Sequence, residues 1–299
     1  MQKILLTIVF IITTTVSVMG QSYEPVYSQY WTNGLAINPA YAGSRECFSN
    51  IIMYRNQWMG FDGAPITQTL SSHAPFKDEK NAVGLFLFHE SIGVTDYFDI
   101  FANYAFRFKL GDGKIALGLR VGATYFQGDY SDVNPNPEGF GNDPIWQNES
   151  EIFPNAGVGV YYYSDKFFAG FSVPKLLTND MQVNPENYDF LLTGGYIFKF
   201  SELLKLRPVF LMRYRLNNTL QFDAGANLIF YDLVWVGGSY RADDEYVFML
   251  EYQVNQQIRV GAAYEYSAGK FSGQQDGSFE LVLRYDFSYK MRAVSPRYF

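Results

Sequence analysis

From Leu220 to Tyr266 every second residue is apolar and its neighbours are not. One parity reads Leu220, Phe222, Ala224, Ala226, Leu228, Phe230, then Val234, Val236, Gly238, Tyr240. It resumes as Tyr246, Phe248, Leu250, Tyr252, Val254, and again as Ile258, Val260, Ala262, Tyr264, Tyr266. The other parity carries Gln221, Asp223, Asn227, Ser239, Arg241, Glu251, Gln253, Arg259 and Glu265. Successive side chains of a strand point to opposite faces, so each of these strands has one apolar and one polar face. The connections between them are too short for anything but antiparallel neighbours. Full charges at mid-strand on the polar face, with Tyr and Phe crowding the apolar one, match a transmembrane barrel better than a soluble sandwich.

The pattern extends through the chain. About fourteen strands are expected between Phe48 and Tyr289, near 48–58, 64–75, 81–90, 95–109, 114–127, 152–163, 166–174, 188–200, 204–216, 219–231, 233–241, 245–255, 257–267 and 277–289. The fold class is therefore all-β, a transmembrane antiparallel β-barrel. Pro208 predicts a bulge or a strand start inside an otherwise good strand. Short connections alternate with mostly longer ones (59–63, 90–95, 128–151, 175–187, 268–276). Bacterial barrels have short periplasmic turns and longer external loops. The alternation predicts an even strand number with both termini in the periplasm.

Met1 to Gly20 reads as a cleaved signal peptide, with Lys3, an apolar run from Ile4 to Ile12, and small residues at Val18 and Gly20. The apolar run is too short to span a bilayer, and no later one approaches the roughly 20 residues of a spanning helix. Secretion plus barrel alternation predicts a bacterial outer membrane. Residues 21–47 are polar, aromatic and rich in turn residues, which predicts a periplasmic or lumen-packed segment ahead of the barrel at 48–289. Residues 290–299 read as a basic periplasmic tail. A formal charge of −7 gives no electrostatic basis for nucleic-acid binding.

Inward parity holds Arg107, Arg120, Lys199, Arg207, Arg213, Arg215, Arg259 and Arg284 with Asp99, Asp223, Glu251, Glu265, Glu280 and Asp286. Mixed signs predict an ion-paired interior that plugs or stiffens the barrel. A single-sign ring would have suggested ion selection, and an open porin-like diffusion channel remains the alternative function. No enzyme is expected: His73 and His89 are the only histidines, and neither has a serine placed for nucleophile activation. Cys47 is the only cysteine, so neither a metal cluster nor any cofactor is expected. The longest connection is acidic (Asp129, Asp132, Glu138, Asp143, Glu149, Glu151) and reads first as a solvated loop.

Two stretches carry a resemblance. The first holds Asn38-Pro39-Ala40-Tyr41-Ala42-Gly43, then Arg55-Asn56-Gln57-Trp58, Gly63-Ala64-Pro65 and Thr67-Gln68-Thr69-Leu70-Ser71 with His73. The second is the ending Ser295-Pro296-Arg297-Tyr298-Phe299. Both resemble the PorP/SprF family of outer-membrane proteins of the Bacteroidetes type IX secretion system. The resemblance implies a role in secretion, gliding motility or surface retention of large cargo proteins or adhesins. It implies contacts with outer-membrane lipid and with periplasmic ring or motor components, or with a secreted adhesin. The candidate partner-binding or barrel-closing residues are Asn38, Pro39, Ala40, Tyr41, Gly43, Arg55, Gln57, Trp58, Arg297, Tyr298 and Phe299. By parity Arg55 and Gln57 face the lumen and Trp58 sits at the external rim. Packing of the pre-barrel segment inside the barrel is the structural alternative to direct partner contact.

Overall fold

The computed structural model describes residues 27–133, 147–177, 188–215, 219–242, 244–269, 273 and 275–287. The expected signal peptide, the 288–299 tail with Arg297, Tyr298 and Phe299, and most of the acidic loop lie outside the described residues. Fourteen antiparallel strands close into a barrel. In chain order they are β1 Phe48–Asn56, β2 Ile66–Pro75, β3 Asn81–Ile92, β4 Thr95–Leu110, β5 Gly113–Gly128, β6 Glu149–Tyr163 and β7 Phe167–Val173. Next comes β8, Asp189–Tyr196, resuming after Ile197 as Phe198–Lys199. The remainder are β9 Leu204–Arg215, β10 Thr219–Phe230, β11 Val234–Arg241, β12 Glu245–Gln253, β13 Ile258–Ser267 and β14 Ser278–Phe287.

Each strand pairs with its sequence neighbours, and β14 pairs with β1 from Phe48↔Phe287 to Asn56↔Phe279, which closes the cylinder. Closure leaves no unpaired edge, the condition for a sheet to sit in hydrocarbon. The apolar parity faces out, with Ile100 61%, Leu119 57% and Phe248 63% exposed. The opposite parity is buried in the lumen and holds the charges: Arg107, Arg120, Arg207, Arg213, Arg259, Arg284, Asp99, Asp223, Glu251, Glu265 and Glu280.

The barrel has two distinct rims. At the short-turn rim β1 begins, β14 ends, and turns such as 76–80, 164–166 and 231–233 join hairpins. At the long-loop rim lie the connections 57–65, 129–148, 174–188 and 268–277.

Two sequence expectations are corrected and two are narrowed. The expected 90–95 loop is a tight turn, because β3 and β4 stay paired up to Ile92↔Thr95. β9 runs unbroken through Pro208; the interruption falls on its partner β8 at Ile197. The register that pairs Val209 with Gly195 puts Pro208 opposite Tyr196, and proline has no N–H to give the ladder. Lys199 keeps the inward parity, opposite buried Lys205, but it is the last residue before a short turn and stands exposed at the rim, 2.6 Å from Glu202, rather than inside the lumen. Gln57 lies one residue past the end of β1, half-buried at the long-loop rim, where its backbone N–H donates to Pro65 O at 3.0 Å.

Candidate functional site: the plugged lumen

The stretch from Tyr27 to Arg45 cannot build regular structure, because turn residues interrupt it every few positions. It makes one helical turn at Gly34–Ile37 and a 3-10 turn at Pro39–Tyr41. Asn38 links them: its backbone N–H donates to Gly34 O, and its side-chain Oδ1 accepts from the Ala40 N–H at 2.9 Å. Proline directly after the cap needs no donor partner there. Tyr27, Tyr30, Trp31, Leu35, Ala40, Tyr41 and Ala42 are all buried. What buries them is the lumen wall, so the segment is a plug.

Three levels of the wall hold it. At the long-loop rim the N–H groups of Ser28 and Gln29 donate to Glu280 at 2.9 and 3.0 Å, and Ser28 Oγ donates to Glu265 at 2.9 Å. Arg55 lies between these carboxylates, 2.8 Å from Glu265 and 3.7 Å from Glu280, and also donates to Ser28 Oγ. Arg241 completes the clasp with Glu265 at 2.9 Å, Glu245 at 2.7 Å and Asp223 at 3.3 Å. The Tyr27 hydroxyl bonds Thr69 at 2.9 Å.

At mid-lumen Thr32 Oγ1 donates to Glu251 at 2.7 Å, and Arg284 donates to Thr32 O. Glu251 also faces Arg259, whose guanidinium lies 3.7 Å over the Trp235 ring. Arg120 donates to the carbonyls of Leu35 and Ala36. The Asn38–Ala40 turn rests on a wall made of glycine. Gly118 and Gly159 are register partners on β5 and β6, and a Cβ on Gly118 would stand 2.1 Å from Ala40 N. Only glycine allows so close a backbone approach. Asn38 Nδ2 donates to Val160 O at 3.0 Å and Phe171 O at 3.4 Å, fixing the turn across β6 and β7.

At the short-turn rim Gly43 adopts φ +75°, a region L side chains resist. Its N–H donates to His73 Nδ1 at 3.1 Å, and its carbonyl accepts from Arg107. His73 is thereby a plug support, its Nδ1 lone pair committed to Gly43, with Tyr41 edge-on at 5.4 Å. Arg45 binds Asp286 at 2.7 Å, and Glu46 binds Lys114 at 2.6 Å. Burial lowers the affinity of Arg45 for its proton, but Asp286 outweighs this and holds the guanidinium charged beyond its ordinary range.

The structure thus brings Asn38, Pro39, Ala40, Tyr41, Gly43 and Arg55 together as plug and clasp. Trp58 stands apart, half-buried at the long-loop rim with φ +48°, its backbone N–H donating to Ser278 Oγ at 3.2 Å across the β1–β14 seam. Gln57 sits beside it. Sequence reasoning missed Ser28, Arg45, and the glycine niche of Gly118, Gly159 and Gly170. Glycines at inward-parity positions on three neighbouring strands were the available signal, since they mark where another backbone presses on the wall. A cavity of about 20 Å³ beside the plug, lined by Tyr30, Trp31, Asn38, Tyr41 and Arg207 among others, holds no more than a water or so.

No curated protein matches the chain. Among solved structures, the Acinetobacter baumannii outer membrane protein Omp33 is similar at TM-score 0.48 and 8% identity, over 81% of this chain and 99% of that one. A triple mutant of the Rhodopseudomonas blastica porin is similar at TM-score 0.35 and 9% identity, again over 81% and 99%. The family profile of the type IX secretion system membrane protein PorP/SprF matches residues 19–285, nearly the whole barrel and its plug. The chain belongs to the PorP/SprF family of type IX secretion system membrane proteins.

Proposed function

We propose that this barrel works in type IX secretion through protein contacts, supporting export or surface retention of large cargo proteins or adhesins. The observation that carries this reading is the filled lumen: the plug is clasped to the wall at both rims and at mid-height. A conduit for solutes would need that space, which favours protein contacts over a diffusion channel. Contacts must then be made by the surfaces outside the lumen. The long-loop rim around Trp58, and the ending Arg297-Tyr298-Phe299, are the candidate handles. Partners would be periplasmic ring or motor components on one side and a cargo or adhesin on the other.

Affinity isolation of the full chain from gently solubilised membranes tests the reading. Co-isolation of secretion components or a large surface protein supports it. A protein that comes out alone and gives steady large conductance in a planar bilayer overturns it.

A further inference from the structure

The direction of the plug has a topological result. Ser28 is held by Arg55, Glu265 and Glu280, each within two residues of the long-loop end of its strand. Arg241, the last residue of β11, donates to Tyr27 O. Arg45 and Glu46 are held by Asp286 and Lys114, each within one residue of the short-turn end of its strand. Glu280 and Asp286 lie on the same strand, and at about 3.4 Å per residue they are roughly 20 Å apart. The plug therefore crosses the lumen from the long-loop rim to the short-turn rim before entering β1.

We infer that the chain upstream of Tyr27 leaves the barrel at the long-loop rim, on the opposite side of the membrane from Phe287. This departs from the sequence expectation of both termini in the periplasm. That expectation counted strands and took no account of a lumen crossing ahead of the first one. An even number of strands brings β1's start and β14's end to the same rim, and one lumen crossing moves the amino end to the other. With longer loops outside, as in bacterial barrels, the amino end is a handle on the cell surface while the carboxyl end faces the periplasm. The inference rests on the barrel and plug, not on the secretion role, so the two can fail separately.

The native Cys47 supplies an internal marker, because it precedes β1 at the short-turn rim. Cells expressing the full chain, and a second strain carrying S22C with C47S, are treated with a membrane-impermeant maleimide before or after permeabilisation of the outer membrane. Ser22→Cys is expected to react fully in intact cells, and Cys47 only after permeabilisation. Labelling of Ser22→Cys only after permeabilisation overturns the inference. Since Cys47 is partly buried, a peptide epitope appended after Phe299 gives a second marker for the periplasmic side. An epitope reached in intact cells together with Ser22→Cys overturns it equally. Heat-modifiable migration on gels verifies that each variant is a folded barrel, and secretion is scored separately.

Discussion

Arg55 offers the sharpest quantitative test of the clasp. Its side chain is 2% exposed, as is that of Glu265, and Glu280 is 1% exposed, so solvent screening is small. In Arg55→Met, Glu265 retains Arg241 at 2.9 Å, but Glu280 is left with only the N–H groups of Ser28 and Gln29. Breaking a buried pair by removing one partner costs about 3–5 kcal/mol, mostly because the surviving charge stays buried. Adding Glu280→Gln removes that charge while the amide oxygen can still accept from the plug. The double variant should therefore regain about 1–3 kcal/mol relative to Arg55→Met alone. The assay is reversible urea unfolding in lipid vesicles followed by tryptophan fluorescence, since Trp31 and Trp235 are buried in the lumen. Equal slopes and a shifted midpoint would report stability alone. A loss below about 1 kcal/mol for Arg55→Met, or a double variant worse than either single change, would refute the clasp as described.

Further outcomes follow from other contacts. Gly118→Ala drives a methyl into Ala40 N and should cost about 1–3 kcal/mol by urea midpoint, whereas Leu119→Ala on the lipid-facing side leaves the plug undisturbed. In planar bilayers the full chain should give no steady ion conductance and a variant lacking residues 27–44 should give one; a closed deletion variant would mean something else fills the lumen. Asp78, in the turn after β2, accepts from the backbone N–H groups of Asn81 and Lys80 and from the side-chain amide of Asn81, and these bonds hold its carboxyl below the ordinary aspartate value. The turn's contribution is therefore complete above the unfolded aspartate pKa and is lost as pH falls through the lower folded one. A carboxyl NMR titration of Asp78 in micelles should give a midpoint below that of a model peptide, and Asn81→Ala should move it upward.

Much of the wall was legible because a strand's period of two is strict. Once Leu220 to Tyr266 set the phase, the inward placement of Arg120, Glu251, Arg259 and Glu265 followed from parity alone. Parity gives a face but no height along the barrel, which is why Lys199 and Gln57, read as lumen residues, stand at the rims instead. Pro208 misled for a related reason: the missing donor shows on the neighbouring strand rather than on its own. The plug could be recognised as irregular but not as oriented. Its direction is set by contacts between Ser28 and Glu280 or Thr32 and Arg284, separated by 252 positions in sequence, which no local pattern records. Carboxylates and guanidinium groups on the wall were visible, while the backbone groups they would hold were not.

The wall strand that grips both ends of the plug, through Glu280 and Asp286, is also the last strand to be synthesised. The plug, which precedes every strand, therefore waits for the last of them before it gains its charged partners, so contacts of very high sequence separation come late in folding. Inserting the lumen crossing after the cylinder has shut would mean dragging Ser28 past a wall of unsatisfied charges. Docking of the first segment and joining of the first and last strands should thus occur as one event, and a nascent chain stopped short of Ser278 would have neither a sealed wall nor a seated interior.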